Sequence, residues 1–403
     1  MKKAIVAISI LFLIVLSLYG WLSVRDHKSY DQALPEDAQM VVKLSVDKLI
    51  RKGVWYKITH PSDLFSKKKK SKDNIEGPGN GLSIPANVFF FSKEDDPHRV
   101  YASLPVDNKE DAAKFLKSIL KIEKLTQDQG VWSGHSPDKK AEIEIGDERM
   151  LISYSTEKQL QKDGMSELMN ELLTHSPDEN MVTSISQTTG DLSFVFEGLE
   201  INISVEDNAI RVEGESSNLD FRPVDLPLLG QFFANNWNTE IEEMLNSSSQ
   251  TLIQLKGIVQ QADTITTYEF NDDFEKIEVT KLDTYAAPGI SLSMNLDPNS
   301  DPQNVIKLLG KNHLDLKNSE SSVLYFSNDD SSSPSLLESN YTFKLEVDFE
   351  SFVSEISMLN NVKFMDQIES LEFIVSESDE GTYVYESSLV MKKDVIGLLL
   401  DKL

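Results

Sequence analysis

Histidine and acidic side chains are common metal ligands, but their spacing in this chain does not favour a metal site. No two histidines form the HxH or HExxH patterns that hold zinc. The segment from Asp297 to Asp301 begins like a calcium loop, yet Pro302 stands where that loop needs glycine and Leu308 where it needs a bidentate glutamate. The six histidines are His27, His60, His98, His135, His175 and His313. We therefore expect them to lie in exposed loops, and we predict no metal or other cofactor.

Nucleophilic catalysis has no recognisable motif in the chain either. The absence of cysteine excludes thiol nucleophiles, disulfides, thiolate metal sites and a lipid-modified cysteine. The sequence holds no G-x-S-x-G elbow, no P-loop and no dinucleotide fingerprint, and Ser45–Lys48 matches S-x-x-K without the motifs that accompany it in penicillin-binding enzymes. Two of the many carboxylates could still meet in space for glycoside hydrolysis. We predict a protein without catalysis, with an envelope hydrolase that uses dispersed carboxylates as the alternative.

The charge balance argues against nucleic acid as a partner. The chain of 403 residues carries 39 basic and 66 acidic residues, a formal net charge of -27. A polyanion needs a basic footprint, which this surface does not offer. Hydrophobic residues make up 40% of the chain, which is typical of a folded protein and allows two or three domains.

A long apolar run near the N-terminus predicts contact with a membrane. Lys2 and Lys3 precede Ala4–Leu22, which as a helix would nearly span a hydrocarbon core of roughly 30 Å. The lysines favour a cytoplasmic N-terminus, so the bulk of the chain would be extracytoplasmic, and periplasmic in a Gram-negative cell. We interpret residues 1–28 as a single-pass membrane anchor. A cleaved signal sequence is the alternative, although the run is long and no good cleavage site follows it.

A basic segment soon after this anchor is the only candidate site that the sequence offers. Basic residues are concentrated between Arg51 and Lys72, with Asp63 as the one acid among them. Lysines close to a membrane surface are attracted to anionic headgroups. The membrane-surface candidates are Lys67, Lys68, Lys69, Lys70 and Lys72. The alternative is a solvated loop over residues 62–81, which the glycine-rich end of that segment favours.

Strands that lead into helices recur along the chain. Four segments alternate apolar and polar residues, which is typical of strands with one buried face, and each ends at an aspartate. They are Met40–Val46, Val100–Val106, Ile290–Leu296 and Tyr341–Val347, followed by Asp47, Asp107, Asp297 and Asp348. Helical patterns follow three of these segments, and Asp301–Pro302 resembles a helix start. We expect the aspartates to cap helices or form turns.

These elements predict an α+β protein with antiparallel sheets and packed helices. The repeated units divide into two similar halves, residues 34–187 and 288–403, around a β-rich middle at 188–287, after one N-terminal transmembrane helix. Candidate strands in that middle include Ile265–Phe270 and Ile277–Leu282.

The segment Leu34–Ala38 and the strand and helix over Tyr383–Leu403 resemble those of uncharacterised membrane-anchored extracytoplasmic bacterial families. These are domains of unknown function, so the resemblance implies a compartment and an α+β fold but no activity or site residue. We expect a membrane-tethered protein that binds or scaffolds an envelope component such as a protein, glycan or lipid. A carrier of lipid or another apolar ligand remains a further alternative.

Overall fold

The computed structural model describes most of the chain after the apolar run and forms two compact units, Met1–Ser204 and Val205–Lys402. The described residues are 20–30, 34–35, 37–59, 81–122, 125–128, 130–155, 165, 168–169, 172, 179–196, 198–216, 248–270, 274–298, 300–310, 314–320, 323–330, 337, 341–351, 367–378 and 381–402. The fold is α+β and consists mainly of antiparallel sheet with few helices, as the sequence predicts.

The first unit contains one antiparallel sheet. Its strands are β1 (Ala38–Ser45), β2 (Asn87–Lys93), β3 (Asp96–Pro105), β4 (Thr126–Asp128), β5 (Val131–His135), β6 (Ala141–Ile145), β7 (Arg149–Ser155), β8 (Leu192–Phe196) and β9 (Leu199–Val205). The order across the sheet is β9-β8-β1-β2-β3-β7-β6-β5-β4. Besides a helix over residues 20–29, its helices with described bounds are α1 (Val46–Thr59), α2 (Lys109–Ile119) and α3 (Glu179–Gln187).

Two apolar clusters hold the first unit together. In one, Val41 and Phe91 of the central strands pack with Ile185 of α3 and with apolar residues between 165 and 172. In the other, Leu116 of α2 packs over Ile143 of β6. Each cluster forms because one face of the sheet alternates apolar residues and the helices present an apolar stripe to it.

The second unit contains a sheet with a single parallel pair among its described strands. The strands are β10 (Ala209–Ser216), β11 (Ser248–Phe270), β12 (Lys276–Leu296), β13 (Asp315–Glu320), β14 (Val323–Ser327), β15 (Phe343–Asp348), β16 (Ile368–Glu377) and β17 (Tyr383–Met391). Their order is β10-β17-β16-β15-β11-β12-β14-β13, and only β11 and β15 run parallel. The antiparallel prediction therefore misses this one pair.

The core of the second unit lies on one face of that sheet. Helices α4 (Pro302–Gly310) and α5 (Val395–Lys402) contribute Val305 and Val395 to a cluster that includes Phe326 and Leu345. A short 3-10 helix, Phe349–Ser351, follows β15 and buries Phe349 in the same cluster. The strictly alternating burial of β15 explains why its period-two pattern is readable in the sequence.

The residues at the helix N-termini agree only in part with the caps predicted from the sequence. Oδ1 of Asp301 accepts a hydrogen bond from the backbone N–H of Gln303 at 3.0 Å, so Asp301 caps α4 as predicted. Helix α2, however, is capped by Asn108 and not by Asp107. Asp47 lies inside the first turn of α1, where it is buried and pairs with Arg25 at 3.0 Å. Capping is therefore the wrong role for both residues: Asp107 lies in the bend that precedes α2, and Asp47 forms an ion pair from inside α1.

The helix over residues 20–29 contacts the first unit through polar groups. Arg25 pairs with Asp47, and the side-chain amide of Asn87 donates to Asp26 and to Ser29, each at 2.8 Å. Trp21 stays more than half exposed beneath the Arg25 guanidinium. Among the residues described, no helix combines the length and the apolar character needed to cross a bilayer.

Candidate functional site

A long β-hairpin extends out of the second unit beyond the sheet. Strand β15 pairs with β11 only up to Leu255, and β14 pairs with β12 only from Ser291 onward. Between these points β11 and β12 pair with each other alone among the described strands. We call residues 257–270 and 274–288 the arm. The sequence predicts two short strands here, but not that they continue from the sheet as one ribbon.

The direction of the arm is set by a β-bulge at its base. Residues 256 and 257 together oppose Gly289, so the register shifts between Leu255 and Ile258. The φ angle of Gly257 is +73°, a left-handed backbone conformation that residues with a Cβ rarely adopt. At Gly289, a Cβ would lie 2.2 Å from the backbone oxygen of Lys256. A bulge increases the local twist and redirects a strand. The two glycines are therefore required where the arm leaves the sheet.

Side chains at the ends of neighbouring elements hold both strands at this base. The backbone N–H of Gly257 donates to Oγ of Ser351 at 2.7 Å. On the other strand, the backbone N–H of Ile290 donates to Oδ1 of Asn328 at 2.7 Å, and Nδ2 of Asn328 donates to the carbonyl of Pro288 at 3.0 Å. Asn328 and Ser351 thus hold the root of the arm in place.

Apolar side chains are exposed on both faces of the arm. Phe274 is 86% exposed, Phe270 71% and Leu282 70%, which is far above the exposure of comparable residues in either core. The other exposed large residues are Ile265, Tyr268, Ile277 and Tyr285. Directly paired residues share a face, so Phe270 and Leu282 lie on one face and Ile265 and Ile277 on the other. A large exposed apolar patch of this kind is typical of an interaction surface.

Polar contacts across the ribbon keep it paired. The ammonium of Lys276 lies 4.0 Å from the ring centroid of Tyr268, and Lys281 pairs with Glu269. The hydroxyl of Tyr285 donates to Gln261 at 3.0 Å. These contacts add to the backbone ladder, but an isolated two-stranded ribbon in water is marginally stable. The arm therefore gains most from a partner that covers it.

The sheet at the root of the arm carries a charged groove of about 390 Å³. Lys344 pairs with Glu346 and with Glu372, each at 2.8 Å, and Gln254 donates to Glu346 at 2.7 Å. Burial would raise the pKa of Glu346, but the hydrogen bonds from Lys344 and Gln254 outweigh it and lower that pKa. Burial likewise opposes the charge of Lys344, yet its two carboxylate partners raise its pKa. Lys344, Glu346 and Glu372 thus form one network of ion pairs in the groove.

The first unit contains a buried lysine that was not among the residues predicted from the sequence. Lys43 is 1% exposed, and its ammonium donates to the carbonyls of Ile185 at 2.9 Å and Thr188 at 2.7 Å and to the Tyr30 hydroxyl at 3.3 Å. Burial lowers the pKa of Lys43 to about 8. Both carbonyls lie at the C-terminal end of α3, where a cation is favoured. Lys43 stands directly between Val42 and Leu44 in β1, and this position among apolar neighbours was the signal that could have revealed it.

The residues predicted from the sequence as a site lie outside the described part of the chain. Lys67, Lys68, Lys69, Lys70 and Lys72 fall within residues 60–80, so their contact with a membrane surface stays a prediction. Upstream, Arg51, Lys52 and Lys57 lie on α1. No group of three or more histidine or acidic residues suited to hold a metal occurs within the described ranges.

Comparisons with known proteins add little to this geometry. No protein-family model matches the chain, and no curated protein matches it. Among solved structures, crystal forms III and I of TP0453 are similar to it with a TM-score of 0.29. Their sequence identities are 9% and 10%, and each match covers 50% of this chain and 84% or 83% of the other. At this level the similarity supports no functional argument, so function must be argued from the site itself.

Proposed function

We propose that this protein is a membrane-tethered extracytoplasmic protein of the bacterial envelope that binds or scaffolds an envelope component. The observation that carries the proposal is the arm, which exposes apolar residues on both faces from a root held by Asn328 and Ser351. An isolated two-stranded ribbon is only marginally stable, and yet the base of this one depends on two glycines at constrained positions. Both features are consistent with an element that a partner covers.

The membrane part of the proposal rests on the sequence. The apolar run Ala4–Leu22 would anchor the chain as one transmembrane helix, and the body would lie outside the cytoplasm. The basic residues from Lys67 to Lys72 would then contact anionic headgroups close to the anchor. The helix over residues 20–29 supports a short connection, because Arg25 and Asn87 already tie it to the first unit.

The proposed fold behind this function has two similar α+β halves around a β-rich middle. A shared local pattern supports the similarity, since a strand runs into a helix in both halves: β3 into α2, and the last residues of β12 into α4.

A binding role fits the charged groove better than the alternative role as a hydrolase. Two-carboxylate hydrolysis needs one carboxyl group that stays protonated near neutral pH. The hydrogen bonds from Lys344 and Gln254 lower the pKa of Glu346, so this carboxyl group is poorly suited to stay protonated, and Lys344 pairs with Glu372 as well. We therefore interpret the groove as a structural ion network at the root of the arm.

The test is crosslinking in intact cells followed by capture of the full chain, with the apolar run retained. A double variant, Phe270→Ser with Leu282→Ser, removes two exposed side chains from one face of the arm. The matched control is Val54→Ser with Trp55→Ser, which removes two exposed apolar residues from α1. We expect a defined crosslinked species that the arm variant loses and the control keeps. Identical crosslinks in all three chains, or turnover of a glycan, peptide or ester panel, would contradict the proposal.

A further inference from the structure

Neither edge of the arm has a neighbouring strand within the described part of the chain, and the two edges differ in how well they are protected against strand addition. The β12 edge carries four charged residues and a proline, namely Lys276, Glu278, Lys281, Asp283 and Pro288. Between Ile258 and Phe270 the β11 edge carries only Asp263 and Glu269 and is otherwise rich in threonine and apolar residues. Charges and proline are the usual means by which proteins block edge pairing, and uncharged β-branched segments invite it. The β11 edge is thus the open one.

The backbone of β11 is oriented for such pairing. Pro288 and Ile290 direct their backbone groups outward to Asn328, and Pro288 lies directly opposite Ile258. Directly opposite residues of an antiparallel pair orient their backbone groups alike, either both toward each other or both outward. Ile258 and every second residue up to Phe270 therefore present N–H and C=O to the free edge.

Resting on the proposed binding function of the arm, we propose that a second copy of this chain pairs with the β11 edge, antiparallel and centred on Thr264. This register uses the whole of Ile258–Phe270 and places Ile258 opposite Phe270 of the second copy. Asp263 then faces Ile265 and Glu269 faces Val259, so no like charges oppose each other. Centring the pair on Asp263 would oppose two aspartates, and centring it on Thr266 would oppose Asp263 and Glu269.

A two-fold antiparallel pair of this kind is closed, because each copy offers the same edge to the other. It joins two ribbons into a four-stranded sheet, which removes the open edge and supplies the neighbours that an isolated hairpin lacks. A lipid surface is a poorer occupant, because Glu269, Glu275 and Glu278 lie among the exposed aromatic residues near the end of the arm.

The cysteine-free chain allows a direct test of the register. In the proposed pair, Thr264 faces Thr264 of the second copy at a Cα separation of about 5.5 Å, which suits a disulfide. The full chain with Thr264→Cys, oxidised in mild detergent, should form covalent dimers. The control Thr280→Cys places a cysteine at an exposed threonine of the β12 edge and should stay at background. Equal crosslinking of both variants would overturn the proposal.

Sedimentation of the full chain measures the same contact without a crosslink. We expect a dimer whose Kd rises at least about tenfold with Thr264→Lys, which opposes two ammonium groups at the centre, and changes less than about threefold with Thr280→Lys. Equal circular dichroism spectra and equal melting temperatures of the two variants verify that both are folded.

A wild-type chain that stays monomeric up to about 100 µM would overturn the proposal. Crosslinking of the Thr264→Cys variant to another envelope protein only would overturn it too, while the binding function of the arm would stand.

Discussion

The ammonium of Lys43 lies inside the first unit with neutral oxygens as its hydrogen-bond partners. A buried lysine without a carboxylate bonded to it favours the uncharged form, and here burial lowers its pKa from 10.5 to about 8, with the nearby charge of Lys48 acting in the same direction. Asp26 and Glu200 oppose the shift but do not cancel it. The carbonyls at the end of α3 partly stabilise the charged form through the helix dipole.

This shift predicts that the first unit becomes more stable between pH 8 and pH 10. In that range the unfolded chain keeps the proton of Lys43 and the folded chain has released it, so the free energy of unfolding rises with pH. Over the two pH units the gain is about 2 kcal/mol. Below pH 8 the two states bind the proton alike and the stability no longer changes with pH through this group.

The measurement is urea unfolding of the wild type and of Lys43→Met at steps from pH 7 to pH 10. The difference in unfolding free energy between the two chains should stay constant up to pH 8 and then shift in favour of the wild type. Tyr30 acts in the opposite direction only toward the upper end of this window, because burial raises its pKa from 10.0 to about 12, so near pH 10 the unfolded chain releases that proton while the folded chain keeps it. A difference that stays constant from pH 7 to pH 10 would show that burial does not lower the pKa of Lys43.

At the scale of elements, the arm depends on a few backbone positions at its base. The bulge at residues 256 and 257, the close approach of Gly289 to Lys256 and the side chain of Asn328 together define where the ribbon leaves the sheet. None of these contacts adds to the hydrophobic core. These contacts set the direction in which the arm leaves the sheet, and the core around Leu255 and Met294 holds the two strands in register.

We predict that Gly289→Ala destabilises the second unit by about 1–3 kcal/mol. Its new methyl group would meet the backbone oxygen of Lys256 at 2.2 Å, so one strand must shift. Gly310→Ala is the matched control, because nothing lies within 4 Å of a Cβ at that position at the end of α4. Urea unfolding and amide exchange in the arm measure both variants. Equal stability of the two would contradict a tight crossing at the base.

At the scale of the whole molecule, each unit has its own apolar core. The cluster around Phe326 belongs to the second unit, and the clusters around Val41 and Ile143 belong to the first. Cooperative unfolding follows the packing of a core, so separate cores favour separate transitions. The net charge of -27 opposes the close association of two such molecules, except where a specific contact compensates.

Truncation of one core is therefore expected to lower one calorimetric transition and leave the other nearly unchanged. Ile143→Ala and Phe326→Ala each remove a fully buried side chain and should cost about 2–5 kcal/mol in their own unit. Differential scanning calorimetry of the full chain resolves the two effects. If each variant lowers a single common transition, the two units unfold as one and the prediction is wrong.

The sequence by itself determined several strands with one buried face, the cap of α4 and the absence of thiol chemistry. When alternate residues of a strand are buried, apolar and polar residues alternate in its sequence. The burial of β15 alternates strictly, so this strand could be predicted from its residues alone. The tertiary structure alone decided that β11 pairs parallel with β15, that Lys43 is buried, and that β11 and β12 continue past the sheet as an arm. These properties depend on which distant segments lie beside a strand, and where no described neighbour follows, an apolar pattern that is typical of a core becomes an exposed surface.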